Sequence, residues 1–271
     1  MAGVPTVTQL CQDLAAEQSS LDSVLSQLGN EDWARPTPAA GWDVTDSLSH
    51  LCFFEEAAAL AVRDPAGFAS HREHLLAEMG KGATSDVDIG RSLGDGPALL
   101  QRWRRARTAY IEAVVAADEE AVAAGTKLRV PWYGPDMSAG SFTTARILEA
   151  WAHGVDIRDG LGLPLEASDR LRHICHIGYG ARAFSFMAHG VDDPGDPVRL
   201  EALAPDGSQW SWGPEEAGNR ISGTGLDVAL VFAQRRHPSR TGVKVTGPVA
   251  ELWLSIAQAF AGPATVTAPD R

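Results

Sequence analysis

A carboxylate and an imidazole stand one helical turn apart in the segment EAWAH, where Glu149 is followed by His153. In an α-helix, residues four positions apart lie on the same face, so these two side chains are neighbours. Both groups are ligands for zinc and for other divalent metals. The same spacing occurs in solvent-exposed Glu–His pairs, so it indicates a metal site only if further ligands join it.

His50 is a third candidate ligand. Because Ser49, Glu55 and Glu56 fall on the other side of its helix, we expect His50 to point inward and the carboxylates to face water. A buried imidazole needs a partner, which is a metal, a backbone carbonyl or a carboxylate. The apolar stripe that includes this histidine consists of His50, Phe53, Phe54, Ala57 and Ala61.

Two histidines and one carboxylate form an incomplete ligand set. Three protein ligands leave a coordination position for water or substrate, which is typical of catalytic rather than structural zinc. Asp156 lies three residues after His153 and is a candidate acceptor for a ligand's second ring nitrogen. The interpretation requires that the helix of His50 meets the helix of Glu149.

Helical periodicity predicts an all-α segment over residues 1–163. The stripe of Leu10, Leu14, Leu21 and Leu25 indicates the first helix. A shorter piece is expected after Pro65. The four main helices are predicted at about residues 8–28, 43–63, 96–123 and 141–159.

The segment 164–271 has a mixed pattern and predicts a smaller α+β domain. Residues 198–202 and 209–212 alternate as strands do, with a turn between them. The other expected elements are helices at about 165–189, 227–236 and 249–260 and a strand at 243–245. The boundary between the two domains is expected within residues 163–195.

Composition limits the classes of partner. The chain has 271 residues and a formal net charge of −12, so its surface should repel phosphate backbones, and no nucleic-acid partner is expected. No apolar run approaches the ~18 residues of a membrane span, and the N-terminus lacks a secretory pattern. We therefore expect a cytoplasmic protein without a membrane partner. The oligomeric state stays open.

Two segments resemble signatures of the maleylpyruvate isomerase N-terminal family, which belongs to the DinB-like superfamily of metal-binding four-helix bundles. GWDVTDSLSHL, residues 41–51, is similar to the first signature, GW-x-V-x-D-x-x-x-H-L. EAWAHGVDI, residues 149–157, is similar to the second, E-x-x-x-H-x-x-D-[LIV]. The resemblance covers about residues 8–160 and implies a zinc-type site made by His50, Glu149 and His153.

The resemblance also implies a reaction class. Relatives use a low-molecular-weight thiol, mycothiol in actinobacteria, for cis–trans isomerisation or thiol transfer. A metal-bound thiol loses its proton near neutral pH, and the thiolate is the nucleophile. No protein cysteine is then required, which fits Cys11, Cys52 and Cys175, since these lack CxxC spacing.

The second half resembles the small domain attached to these bundles, in the segments RLEALAPDGSQWSW and VAELWLSIAQAFAG. In the isomerase, an arginine of this domain faces the metal cavity. Arg235 or Arg236 matches that region and would hold a substrate carboxylate bidentately. The alternative is a pair of surface arginines after a helix.

Three functions remain open at this point. The first is a metal- and thiol-dependent isomerase or transferase acting on a small carboxylated molecule. The second uses the same metal site for a thiol-independent hydrolysis, cyclisation or elimination, and the third is a non-enzymatic metal-dependent binding module. The H-x-x-H pairs His71–His74 and His173–His176 are weaker metal candidates.

Overall fold

The computed structural model describes residues 4–80 and 95–271, and side chains 78–80 are not described. The chain divides into two compact units, Met1–Pro164 and Leu165–Arg271. None of the helices within the described ranges is long and apolar enough to span a membrane. The structure has an α+β fold, as the sequence predicts.

The first unit is a helical bundle. Its elements are α1 (Val7–Leu25), α2 (Val44–Arg63), α3 (Pro65–Gly80), α4 (Gly96–Ala123), β1 (Arg129–Val130), β2 (Met137–Ser138) and α5 (Ala139–Leu161). A short 3₁₀ helix, Asp32–Ala34, precedes α2, and the antiparallel pair of β1 and β2 precedes α5. The predicted helices therefore occur where the periodicity placed them, with ends that differ by at most three residues.

The helices begin where side chains can cap their free amides. Thr6 and Gln9 form a capping box at the start of α1, and Asp43 and Asp46 form one at the start of α2. In α1, Leu14 and Leu21 are buried on the apolar stripe. Helix α2 packs chiefly against α4, and α1 packs chiefly against α5. The stripes therefore face a shared interior.

Ion pairs also join the helices of the bundle. Arg104 and Arg107 of α4 both bind Asp22 of α1. Arg102 of the same helix donates to Glu56 of α2, with an Nε–Oε1 distance of 2.6 Å. These basic residues of α4 therefore pair with carboxylates of neighbouring helices.

The second unit places helices beside a four-stranded sheet with the order β4-β3-β5-β6. Strands β3 and β5 are parallel, and the other two pairs are antiparallel. Its elements are α6 (Leu171–Gly180), α7 (Arg182–His189), β3 (Val198–Leu203), β4 (Gln209–Trp212), β5 (Asn219–Thr224), α8 (Gly225–Phe232), β6 (Lys244–Thr246) and α9 (Pro248–Ile256).

Two expectations for this unit are wrong, and one strand was not predicted. The single helix expected over 165–189 starts only at Leu171 and is interrupted at Ala181, directly after Gly180, since glycine is a poor helix former. The helix expected over 227–236 ends at Phe232, and Gln234 then adopts a left-handed φ of 55°. Strand β5 was missed because Ile221 is its only large apolar residue.

Candidate metal centre

Helices α2 and α5 contact each other and carry the three candidate ligands. The capping box of Asp43 and Asp46 fixes the start of α2, and His50 follows in its second turn. Ser138 caps α5 by accepting a hydrogen bond from the backbone N–H of Ser141. Both ligand-bearing helices thus have defined starts, which sets the helical phase of their side chains.

The structure brings His50, Glu149 and His153 together. The Nε2 atom of His50 lies 3.0 Å from Oε2 of Glu149, and Nε2 of His153 lies 3.6 Å from the same oxygen. The two imidazole rings have centroids 4.3 Å apart. Within residues 4–80 and 95–271, these three residues form the only His/Cys/Asp/Glu cluster with metal-ligand spacing.

The donor set fits a divalent metal. All three ligand atoms lie within 4.8 Å of one another. Zinc–nitrogen and zinc–oxygen bonds in a tetrahedral site place donors roughly 3.3 Å apart, so small side-chain adjustments suffice. Two imidazoles and one carboxylate are ligands that zinc accepts, and the fourth position would belong to water or substrate.

The charge on Glu149 is stabilised in place. Burial alone would raise the pKa of its carboxyl, but hydrogen bonds from His153 and His50, together with the positive charge of Arg146, hold this pKa well below its usual range. Glu149 is therefore ionised at neutral pH, which is the form that binds a cation.

Aromatic rings enclose the two histidines. Trp42 is stacked on His153, with ring centroids 5.6 Å apart and an interplanar angle of 10°, and it lies 5.4 Å from the ring of His50. Phe54 covers the ring of His50 at 4.7 Å. The apolar surroundings lower the local polarity and strengthen electrostatic interactions at the ligands.

Asp156 is fully buried one turn after His153. Its Oδ2 atom lies 3.6 Å from Nδ1 of His153, on the side of the ring opposite the candidate metal-binding nitrogen. A carboxylate in this position would orient a ligand histidine, and this role of Asp156 stays a prediction.

The expectation that the carboxylate of Glu55 faces water is wrong. Glu55 is buried and accepts a hydrogen bond from Nε2 of Gln18 at 3.0 Å. The physical reason is that α2 contacts both α4 and α5, and that Gln18 of α1 reaches Glu55. Helix α2 is therefore buried on more than one face. One feature of the sequence indicates a buried polar partner: Gln18 lies on the otherwise apolar stripe of α1.

The two arginines proposed from the resemblance lie in the second unit, just after α8. Nη1 of Arg235 donates to the carbonyl of Ala233, and Nη1 of Arg236 donates to the carbonyl of Arg235 itself, both at 2.7 Å. Their role in binding a substrate stays a prediction.

One histidine of each of the other two pairs has an aromatic hydrogen-bond partner. His71 is half-buried, and its Nε2 lies 2.8 Å from the hydroxyl of Tyr133. Nε1 of Trp212 donates to Nδ1 of His176 at 3.1 Å.

The three cysteines are buried thiols. Burial raises the pKa of Cys11 to about 11 and that of Cys52 and Cys175 to about 12. Thiols with such pKa values are almost entirely protonated near neutral pH and are weak nucleophiles.

Residues 14–158, just over half of the chain, match the model of the family described as mycothiol maleylpyruvate isomerase N-terminal domain. The chain is also similar to solved crystal structures of the mycothiol-dependent maleylpyruvate isomerase and of a histidine-to-alanine mutant of it. The TM-scores are 0.52 and 0.53 at 16% identity, with 90% of this chain and 95% of the other covered. This likeness shows a shared fold.

Closer relatives in sequence are two uncharacterised proteins from two strains of Mycobacterium tuberculosis. Each is 39% identical over 251 residues, which cover 93% of this chain and 95% of the relative. The likeness therefore extends over both units and over almost the whole length of these relatives.

Proposed function

Because the chain belongs to the mycothiol maleylpyruvate isomerase N-terminal domain family, we propose that it is a metal-dependent enzyme that uses a low-molecular-weight thiol of the mycothiol type. Its reaction would be an isomerisation or a thiol transfer on a small carboxylated molecule. The observation that carries the proposal is the cluster of His50, Glu149 and His153.

The ligand set suits a catalytic site. Two imidazoles and one carboxylate would hold a divalent ion, with zinc as the first candidate, and leave one position for an exogenous ligand. When bound there, the metal would lower the pKa of a coordinated thiol so that the thiolate forms near neutral pH. Asp156 would fix the ring orientation of His153, and Trp42 would hold the same ring by stacking.

The cysteines support an external thiol. Because all three are buried with raised pKa values, the chain has no exposed thiolate to supply as nucleophile from the residues that the structure describes. A small thiol bound at the open metal position would supply it instead. A thiolate can add reversibly to an activated double bond, which permits rotation before the thiolate leaves again.

The substrate would carry a carboxylate, since the family's name and solved relatives concern the acid maleylpyruvate. Arg235 or Arg236 is proposed as a carboxylate-binding residue, from the resemblance described above.

Cobalt substitution tests the proposal. The metal is removed, Co²⁺ is added, and the near-ultraviolet spectrum is followed during titration with mycothiol. We expect a thiolate-to-cobalt charge-transfer band that saturates with the thiol. S-methylated mycothiol, which cannot form a thiolate, should give no band. Since the protein's own cysteines are buried and protonated, any such band reports the added thiol.

His153→Ala serves as the site variant and His74→Ala as its control, because His74 is exposed and lies outside the cluster. The band should vanish in the first variant and persist in the second. A cobalt-loaded wild-type protein whose spectrum does not respond to mycothiol would contradict thiol dependence. The rate of maleylpyruvate isomerisation is then measured with and without mycothiol, to test whether the reaction is that of the solved relative.

A further inference from the structure

Arg146 lies on the ligand-bearing face of α5. It precedes Glu149 by three residues and His153 by seven, so the three side chains follow one side of the helix. Only 5% of Arg146 is exposed. A guanidinium in this position lies inside the bundle and beside the candidate metal ligands.

Among the residues that the structure describes, no carboxylate is paired with the charge of Arg146. Its Nε is buried and has no hydrogen-bond partner among the described residues, and no carboxylate of residues 4–80 and 95–271 forms an ion pair with it. The ring of Trp132 is its close contact, with the guanidinium carbon 5.4 Å from the ring centroid. A buried charge without a paired anion costs several kcal/mol, roughly, unless a ligand compensates it.

Two carboxyl groups lie close enough to interact with this charge, but both are engaged elsewhere. Glu55 accepts a hydrogen bond from Gln18, and Glu149 lies 3.0 Å from His50. Arg146 acts on both by lowering the pKa of each carboxyl. If Glu149 binds a metal ion, Arg146 places a second positive charge close to that ion.

Aromatic contacts place this guanidinium on the same side of the bundle as His50. Trp132, which the guanidinium covers, packs against Phe54 with centroids 6.1 Å apart, and Phe54 packs against His50 at 4.7 Å. A planar guanidinium stacked on an indole keeps its N–H groups available at the edge of the plane. That edge is the part that binds a carboxylate in a bidentate manner.

We propose that Arg146 binds a carboxylate of the substrate beside the metal ligands and so selects anionic substrates. The inference rests on the proposed metal-dependent function and adds a binding residue within the bundle itself, separate from Arg235 and Arg236. The competing explanation is that Arg146 serves only as a distant counter-charge for Glu55, in which case small anions would not depend on it.

Maleate, a small dicarboxylate, is the probe, and its uncharged dimethyl ester is the ligand control. Binding to the zinc-loaded full-length protein is measured by titration calorimetry and by quenching of tryptophan fluorescence. Maleate should bind the wild-type protein, and the ester should not. A wild-type protein that binds both equally, or neither, would overturn the proposal.

The variants are Arg146→Met, which keeps much of the volume, and Arg146→Lys, which keeps the charge but loses the bidentate fork. We expect maleate affinity to fall by about tenfold or more in the first and by a smaller factor in the second. Arg158→Met is the matched control, since Arg158 is on the same helix and donates to Ser20 at 2.9 Å. It should bind maleate as the wild type does.

Zinc content is measured on every sample, which separates the two proposals. Weakened maleate binding with full zinc content supports the role of Arg146. Wild-type affinity in Arg146→Met contradicts it, as does a loss of zinc that accompanies the loss of maleate binding. If Arg146→Met does not fold, wild-type affinity in Arg146→Lys contradicts it equally. Failure of the wild-type protein to hold zinc refutes the proposed function instead.

Discussion

Glu55 places a carboxyl group in the interior of the bundle, where ionisation is unfavourable. Burial raises its pKa to about 7, although Arg146 and the hydrogen bond from Gln18 both act to lower it. In the unfolded chain the same carboxyl would titrate near its ordinary value of 4.5. Between these two pKa values the folded protein keeps a proton that the unfolded chain has lost.

This difference makes stability depend on pH. The contribution of Glu55 is present in full below its unfolded pKa and is lost as pH rises through about 7. We therefore expect Glu55→Gln to gain stability relative to the wild type as pH rises from about 5 to about 8, by at most about 3 kcal/mol. Urea unfolding at both pH values measures it.

Glutamine at this position can still accept the hydrogen bond from Gln18, so the variant isolates the charge. Glu56→Gln is the control, because Glu56 is partly exposed and paired with Arg102. The control should keep the wild-type pH profile. If the free energy of unfolding changes with pH in the same way in the wild type and in Glu55→Gln, ionisation of Glu55 does not destabilise the folded protein, and the prediction is wrong.

Single residues differ in how far the sequence predicts them. Glu149 and His153 follow from one helical spacing, because both lie on one element. The sequence predicts that the side chain of Glu55 is exposed to solvent. This prediction is wrong because the burial of Glu55 depends on which helices cover α2. The stacking of Trp42 on His153 joins residues more than a hundred positions apart, so no local pattern indicates it.

At the scale of the elements, the start of α2 determines where His50 lies. Asp43 accepts a hydrogen bond from the backbone N–H of Asp46 at 2.8 Å, and Asp46 accepts one in return from that of Asp43 at 3.1 Å. This reciprocal cap satisfies two amides that would otherwise lack partners at the helix end.

Removing the cap should therefore destabilise the protein. We expect Asp43→Ala to lower the free energy of unfolding by about 1 kcal/mol, measured by urea denaturation followed by circular dichroism. Asp43→Asn is the matched control and should retain most of the stability, because asparagine caps helices about as well as aspartate. Equal losses in the two variants would show that the side-chain cap is not what stabilises this helix start.

The elements show why prediction succeeded in one half of the chain and was weaker in the other. Helices α2 and α4 have strong apolar periodicity together with a capping aspartate or an early proline, so their limits were predicted closely. Strand β5 lies between β3 and β6 and owes its conformation to pairing on both edges. Its own sequence, NRISGT, contains little that favours a strand.

Gly178 lies within α6, before the break in the helix expected over 165–189. A Cβ at this position would lie 2.1 Å from Cδ2 of Phe232, so only glycine permits the close approach of α6 and α8. Glycines selected for such contacts weaken a helix locally, and that selection depends on a neighbour distant in sequence.

At the scale of the whole molecule, the chain contains two compact units, and all three candidate ligands belong to the first. The boundary between the two units lies between Pro164 and Leu165. The sequence alone could not show that α2 meets α5, because periodicity gives each helix a buried face without naming its partner. That pairing came from the family resemblance.

The central claim is that His50, Glu149 and His153 hold one metal ion per chain. Elemental analysis of the purified full-length protein by mass spectrometry tests it most directly, with His50→Ala, His153→Ala and the control His74→Ala prepared in parallel. We expect about one zinc or other divalent ion per chain in the wild type and in the control, and almost none in the two site variants. Full metal content in both folded site variants, or a wild-type protein that binds no divalent metal, would contradict it.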